Sequence, residues 1–370
     1  MTDFPGLTPY GWSDALRQSF QPFADQGLSP ARVIVQQRGH YRIVTEAGEG
    51  EAKISGRFAH EAAEGGYPVT GDWVAIEPDP KGGLAMIQAV LPRASVFTRR
   101  APGLTGAVQV VAANVDTAFV AASLNADLNP RRLERYLAMA LQSGAAPVIV
   151  LTKADACEDA EDLKALLAEV ETVAAGLPVI AISSRTGQGL DTLASHMAPG
   201  RTAVLLGSSG VGKSTLVNAL AGVQKMVTQE VRGGGVQGRH TTTHRELVLL
   251  PSGALILDTP GMRELGLWDA EAGLEAAFSD FTAKIAALAV DCKFSDCRHQ
   301  DEPGCAVQKA LDEDRLDPER WESYGKLQGE LAHEGRKEDP RLRAQSRKVW
   351  VSRTKGHRAM MKQRDRERGD

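Results

Sequence analysis

From Ser29 to Arg100 the apolar positions fall in short runs broken by turn residues. The runs are Ala31–Gln36, Tyr41–Thr45, Glu51–Ile54, Val69–Glu77 and Leu84–Val90, with turn signals at Arg38-Gly39, Ala47-Gly48, Pro68 and Lys81-Gly82-Gly83. Five short strands in about seventy residues predict a small closed β-barrel, of OB or SH3-like type, and spacing does not separate the two. Trp73 lies inside a strand run and reads as core. Residues 1–28 show little periodicity and are expected to be an irregular leader.

Beyond Pro102-Gly103 the texture becomes alternating β and α. Asp116–Ser123, Val148–Leu151, Val179–Ile182, Ala203–Leu206 and Ala254–Leu257 read as buried strands. Helical periodicity fills the gaps, with Leu133, Leu137 and Leu141 after Asn129-Pro130, then Asp159–Val173 and Asp191–Met197. Strands separated by helices of ten to fifteen residues predict a doubly wound α/β layer. Past Trp268 the pattern is helical and polar.

Composition narrows the class. A chain of 370 residues with 42% hydrophobic and 24% charged residues is ordinary for a globular protein of two or three domains, which excludes wholesale disorder. No apolar run approaches the roughly 20 residues that span a bilayer, and the N-terminus has neither a basic nor an apolar signal region. A cytoplasmic, membrane-free monomer is expected. The net charge of −4 hides an asymmetry, because residues 341–370 carry eleven Lys/Arg against three Asp/Glu, a local +8 that leaves −12 on the rest. A basic tail of this kind suggests a polyanionic partner.

The candidate chemistry begins at Gly207-Ser208-Ser209-Gly210-Val211-Gly212-Lys213-Ser214, which matches G-x-x-x-x-G-K-[ST] and is followed by Thr215. A strand precedes it and an apolar-periodic helix follows, the context a phosphate loop requires. The glycines let successive N–H groups face a phosphate at the positive end of a helix, Lys213 reaches the β- and γ-phosphates, and Ser214 ligates Mg²⁺. The base is argued from Thr152-Lys153-Ala154-Asp155, after the strand Val148–Leu151, which resembles N-K-x-D with Thr for Asn. There Asp155 accepts both the ring N–H and the exocyclic amine of guanine, which adenine cannot offer, and Lys153 lies along the base. Ser183 and Ser184, after the next strand, resemble the backbone motif that supports the guanine O6. Asp258-Thr259-Pro260-Gly261 resembles the D-x-x-G of switch II, Asp258 holding Mg²⁺ through water and Gly261 sensing the γ-phosphate. The glycine-rich segment Arg232–Thr243 reads as a mobile switch I, with Thr241, Thr242 or Thr243 capping Mg²⁺. A water-orienting Gln often follows the switch II glycine; here Met262 stands there, and His240 is the nearest candidate for the role. The base-reading motifs precede the phosphate loop and the switches follow it, which is a circularly permuted GTPase order.

Three of the four cysteines crowd together as Cys292-x4-Cys297-x-His299-x5-Cys305. Three thiolates and an imidazole make a closed tetrahedral set suited to one structural Zn²⁺. Cys157 stands apart and reads as a small side chain.

In this order, TKAD, GSSGVGKST, GRHTTTHREL, DTPGMREL and the zinc ligands resemble the ribosome small-subunit-dependent GTPase A family, from about Ser29 to the C-terminus. The resemblance implies an OB-fold domain over 29–100, a permuted GTPase domain over 104–267, a mainly helical zinc domain over 268–340 and a basic tail over 341–370. It also implies GTP hydrolysis stimulated by the small ribosomal subunit and its rRNA during late maturation, with hydrolysis triggering release. The competing readings are an RNA-binding module with a degenerate nucleotide site, a permuted GTPase acting on another ribosomal partner, and an ATPase or kinase.

Overall fold

The computed structural model describes residues 3–37, 39–61, 66–100, 108–125, 128–157, 159–222, 245–258 and 270–338. A 3₁₀ turn, Pro5–Tyr10, and helix α1, Asp14–Ala24, open the chain. This corrects the expectation of an irregular leader. Ser13 caps α1 by accepting the Leu16 N–H. Leu7, Trp12 and Phe20 are buried, and Trp12 meets Trp73 edge-on at 5.1 Å between centroids. The signal was present as Leu16, Phe20 and Phe23 at helical spacing, but Pro22 inside the helix obscured it.

The barrel follows: β1 (Ser29–Gln37), β2 (His40–Thr45), β3 (Gly48–Ile54), the short helix α2 (Gly56–Glu61), β4 (Trp73–Glu77) and β5 (Ala85–Val90). Its order is β1-β2-β3-β5-β4, closed by pairing of β4 with β1. β3 runs parallel to β5, and α2 bridges β3 and β4. That crossing is the OB arrangement and settles the choice the spacing left open. Val33, Ile43, Val74, Ile76 and Ile87 fill the interior. The expected run from Val69 enters the sheet only at Trp73, because Val69–Asp72 forms a corner in which the buried Asp72 accepts the Val69 N–H and pairs with Arg93 at 2.7 Å.

A two-stranded ribbon, β6 (Val96–Arg100) with β7 (Val108–Ala113), leads into the α/β layer. That layer comprises β8 (Thr117–Ser123), α3 (Pro130–Ser143), β9 (Ala146–Thr152), α4 (Ala160–Ala174), β10 (Val179–Ala181), α5 (Leu190–Ser195), β11 (Thr202–Leu206), α6 (Lys213–Ala221), β12 (Arg245–Leu249) and β13 (Leu255–Asp258). The strand order is β10-β9-β8-β11-β13-β12, parallel except for β12. The chain runs outward from β8 to β10 and then returns to β11 on the other side of β8. Such a reversal opens a crevice at the carboxyl ends of the central strands, the usual place for a ligand.

The two parts are joined firmly. β1 pairs with β12 through Val35 and Glu246, so barrel and layer share one continuous sheet. Arg32 of β1, 2% exposed, donates to the carbonyls of Gly71, Tyr10 and Asn114 and to Thr202 Oγ1 at 2.8 Å. Burial lowers its pKa to about 10, with Asp116 and Asp72 opposing the shift, so it stays charged at neutral pH.

The last described elements are helical: α7 (Glu271–Ala277), α8 (Ser279–Ala289), α9 (Ala306–Asp312) and α10 (Pro318–Glu338). They dock on α3. A Cβ on Gly273 would lie 2.1 Å from the Ala138 carbonyl, so only glycine allows this approach. Arg320 of α10 pairs with Asp280 at 2.7 Å and with the buried Glu134 of α3 at 3.3 Å, and its guanidinium lies over Phe278 and Phe281. Among the described residues no helix is long and apolar enough to cross a membrane.

Candidate functional site

The phosphate loop sits where the strand order reverses. β11 is buried throughout, and the chain turns at Gly207 with φ of +144° before α6 begins at Lys213. A Cβ on Gly207 would meet the Ala121 carbonyl of β8 at 2.5 Å. Lys213 Nζ reaches back over the loop to the carbonyls of Gly207, at 2.7 Å, and Ser208, at 2.6 Å. Ser208, Ser209, Gly210, Val211, Gly212, Ser214 and Thr215 complete the turn and the first turn of the helix. The loop N–H groups and the positive end of α6 thus face one side, a ready anion site.

The segment expected to read the base, residues 152–155, lies at the carboxyl end of β9. Thr152 is 2% exposed, and its hydroxyl donates to the Val211 carbonyl at 2.6 Å, with the Ala122 carbonyl at 3.2 Å. It therefore joins this segment to the phosphate loop instead of facing a ligand, a role its sequence position did not reveal. Lys153 adopts a left-handed conformation, φ +61°, and lifts the chain out of the sheet. The Ala154 N–H donates to the Ile182 carbonyl at 3.0 Å, and the buried Ser183 hydroxyl donates to Asp155 Oδ1 at 2.6 Å. The Arg185 and Thr186 N–H groups donate in turn to Ser183. Two loops far apart in sequence are thus fixed to each other, leaving Asp155, its side chain 22% exposed, at the rim with Arg185 at 3.8 Å. Ser184 follows, half-buried.

Asp258 ends β13, its backbone opposite Glu246 of β12. The remaining expected groups, His240, Thr241, Thr242, Thr243, Gly261 and Met262, lie outside the described residues, as do the segment 223–244 and the tail 341–370.

A second constellation lies between α8 and α9. The ligand atoms of Cys292, Cys297, His299 and Cys305 lie within 4.8 Å of one another. His299 Nδ1 is 3.6 Å from Cys292 Sγ and 3.4 Å from Cys305 Sγ, and the two sulfurs are 3.9 Å apart. A tetrahedral zinc with sulfur at about 2.3 Å and nitrogen at about 2.0 Å spaces its ligands by about 3.8 Å and 3.5 Å respectively. The donor set and its spacing fit that ion. The supports are local: Gln308 Nε2 donates to the His299 carbonyl at 2.6 Å, and Cys305 caps α9 by accepting the Gln308 N–H. Glu302 accepts the N–H groups of Gln300 and Arg298; the first of these leads in holding its carboxyl below the usual range. Cys157 is half-buried and apart from this group, as expected.

A family profile for the RsgA GTPase matches residues 90–268. The chain is 46% identical over 362 residues to the small ribosomal subunit biogenesis GTPase RsgA of Opitutus terrae, covering 95% of this chain and 97% of that one. It is also 46% identical over 346 residues to the protein of that name from Streptomyces avermitilis, covering 93% and 90%. Among solved structures, YjeQ from Thermotoga maritima superposes with a TM-score of 0.60 at 28% identity, over 82% of this chain and 99% of that one. YloQ, described as a circularly permuted GTPase, shares the fold with a TM-score of 0.58 at 24% identity, over 83% and 96%.

Proposed function

The chain belongs to the RsgA GTPase family, and on that footing we propose that it hydrolyses GTP on the small ribosomal subunit, assists late subunit maturation and leaves when hydrolysis is complete. The observation that carries this reading is the Thr152 hydroxyl on the Val211 carbonyl. It makes a base-reading loop and a phosphate loop one site, in a chain whose motif order is permuted.

In this reading Asp155 accepts the guanine ring N–H and amine, with its carboxylate aimed by Ser183. The loop from Gly207 to Gly212 and Lys213 hold the phosphates and neutralise charge that grows on them during transfer. Ser214, Asp258 and one of Thr241 and Thr242 would hold Mg²⁺, which supplies charge neutralisation at the β- and γ-oxygens. His240 orients the attacking water and Gly261 reports the γ-phosphate. One Zn²⁺ on Cys292, Cys297, His299 and Cys305 would fix the fold between α8 and α9, since thiolates gathered in a polar segment supply folding energy the local sequence lacks. The tail, 341–370, contacts rRNA phosphates. The protein works as a cytoplasmic monomer.

The test is nucleotide-dependent thermal protection with Mg²⁺ present. GTP and GDP should raise the melting temperature in proportion to occupancy, and ATP at equal concentration should not. Equal protection by ATP would remove the guanine assignment.

A further inference from the structure

The first turn of α3 carries two adjacent arginines and no acidic residue. Cations are disfavoured there, because the helix N-terminus bears about half a positive charge. Arg131 is answered: its guanidinium donates to Glu319 of α10, carboxylate at 2.6 Å. Arg135, one turn on, is answered by Glu330 at 2.8 Å. Arg132 is exposed, and among the described residues its guanidinium has no hydrogen bond and no ion pair. It lines a small open cleft with Ala121, Ser123, Asn129, Tyr136 and Ser208. Ser208 is the second residue of the phosphate loop, and its carbonyl accepts from Lys213 Nζ. Arg132 thus shares a cleft with the loop residue that Lys213 contacts. Asn129 pins this geometry by capping α3, its side-chain oxygen accepting the Arg132 N–H at 3.1 Å.

A cation held where the helix field opposes it, on a helix whose other arginines have carboxylate partners, is suited to an anion brought by a ligand. The anion nearest in chemistry is the terminal phosphate. We propose that Arg132 is a catalytic residue of the GTPase reaction, its guanidinium contacting a γ-phosphate oxygen from the α3 side. The inference rests on the GTPase reading above and adds a group to it. In the step, water oxygen bonds to Pγ while the bond from Pγ to the β–γ bridging oxygen breaks, its electron pair leaving on GDP. The water proton ends on phosphate or solvent. Negative charge shifts onto the bridging and γ-oxygens, and a planar guanidinium stabilises it more than it stabilises bound GTP. With Met262 where many GTPases carry a Gln, such a charge is help the chain itself can give beside the water-orienting role proposed for His240.

The experiment is single-turnover GTP hydrolysis by the full chain with Mg²⁺ and no ribosomal subunits, for wild type, Arg132→Ala, Arg132→Lys and Arg131→Ala. Arg132→Ala should fall about a hundredfold, the size of one lost transition-state donor. It should bind a non-hydrolysable GTP analogue within about threefold of wild type and lose tight binding of GDP with aluminium fluoride, which mimics the planar phosphoryl group. Arg132→Lys should recover part of the rate, as a point charge without the fork. Arg131→Ala should leave turnover unchanged. Unchanged turnover in Arg132→Ala overturns the proposal, as does a rate loss matched by equal loss of analogue binding. Intact basal turnover with weakened subunit binding would assign the guanidinium to an rRNA phosphate and likewise overturn it. If wild type hydrolyses no GTP, the GTPase reading itself has failed.

Discussion

At the scale of single residues, chemistry and support separate cleanly around the base-reading loop. Asp155 points to the rim with one carboxylate oxygen held by Ser183 at 2.6 Å, whereas Thr152 is buried against the phosphate loop. Asp155→Asn should shift preference from GTP to xanthosine triphosphate, whose exocyclic oxygen replaces the amine; competition binding with both nucleotides measures it, and unchanged GTP preference would count against the assignment. Thr152→Val keeps the volume but leaves the buried Val211 carbonyl without its donor, a loss of about 1–3 kcal/mol. GTP affinity and melting temperature should both fall, and Thr152→Ser should restore them. Motif matching placed both residues, but only the fold shows that Thr152 is a clamp while Asp155 stands at the rim, because the clamp's partner lies fifty-nine positions away. In the cysteine cluster, Cys297→Ser should lose zinc and Cys157→Ser should keep it, read by elemental analysis of the purified chains.

Elements show where local pattern sufficed and where it failed. The strands of the α/β layer were legible because both faces are buried, so each reads as an apolar run bounded by turns. The barrel strands were legible from turns, yet OB closure was not, since it depends on β3 pairing in parallel with β5 across thirty residues of chain. The ribbon of β6 and β7 went unread because its strands pair with each other and not with the main sheet. The junction of α3, α8 and α10 was invisible to periodicity. Its centre is Arg320, 5% exposed, between Asp280 and Glu134. Arg320→Leu would leave the buried Glu134 carboxylate with the Ser323 hydrogen bond and only the more distant charge of Arg131, a destabilisation of about 3–5 kcal/mol. Hydrogen exchange should show faster opening of α8 and α10 with the barrel strands unaffected. For the glycine-rich segment ahead of β12, His240→Ala should retain GTP and subunit binding and lose most stimulated turnover; full stimulation would send the search to an rRNA group.

At the scale of the whole molecule, the barrel and the nucleotide layer are one sheet, joined at β1 and β12 and riveted by Arg32. A partner that gripped the barrel would therefore pull on β12, the strand after the segment expected to act as switch I, and one that gripped the helical lobe would pull on α3, which shares a cleft with the phosphate loop. On the proposed function, subunit contact would have a mechanical route to the site at two places. Charge adds a third handle: removing residues 341–370 takes away a net +8. Deletion should weaken subunit binding and flatten its dependence on salt, since fewer counterions are released; an identical slope would show that the tail does not touch the RNA. On the function proposed above, the site turns over GTP slowly until the small subunit completes it. The direct measurement is steady-state phosphate release from GTP by the full chain, with and without purified small subunits at low salt. Release should be slow with the chain alone and should rise steeply with small subunits but not with large ones. An equal rate with and without small subunits would overturn that function.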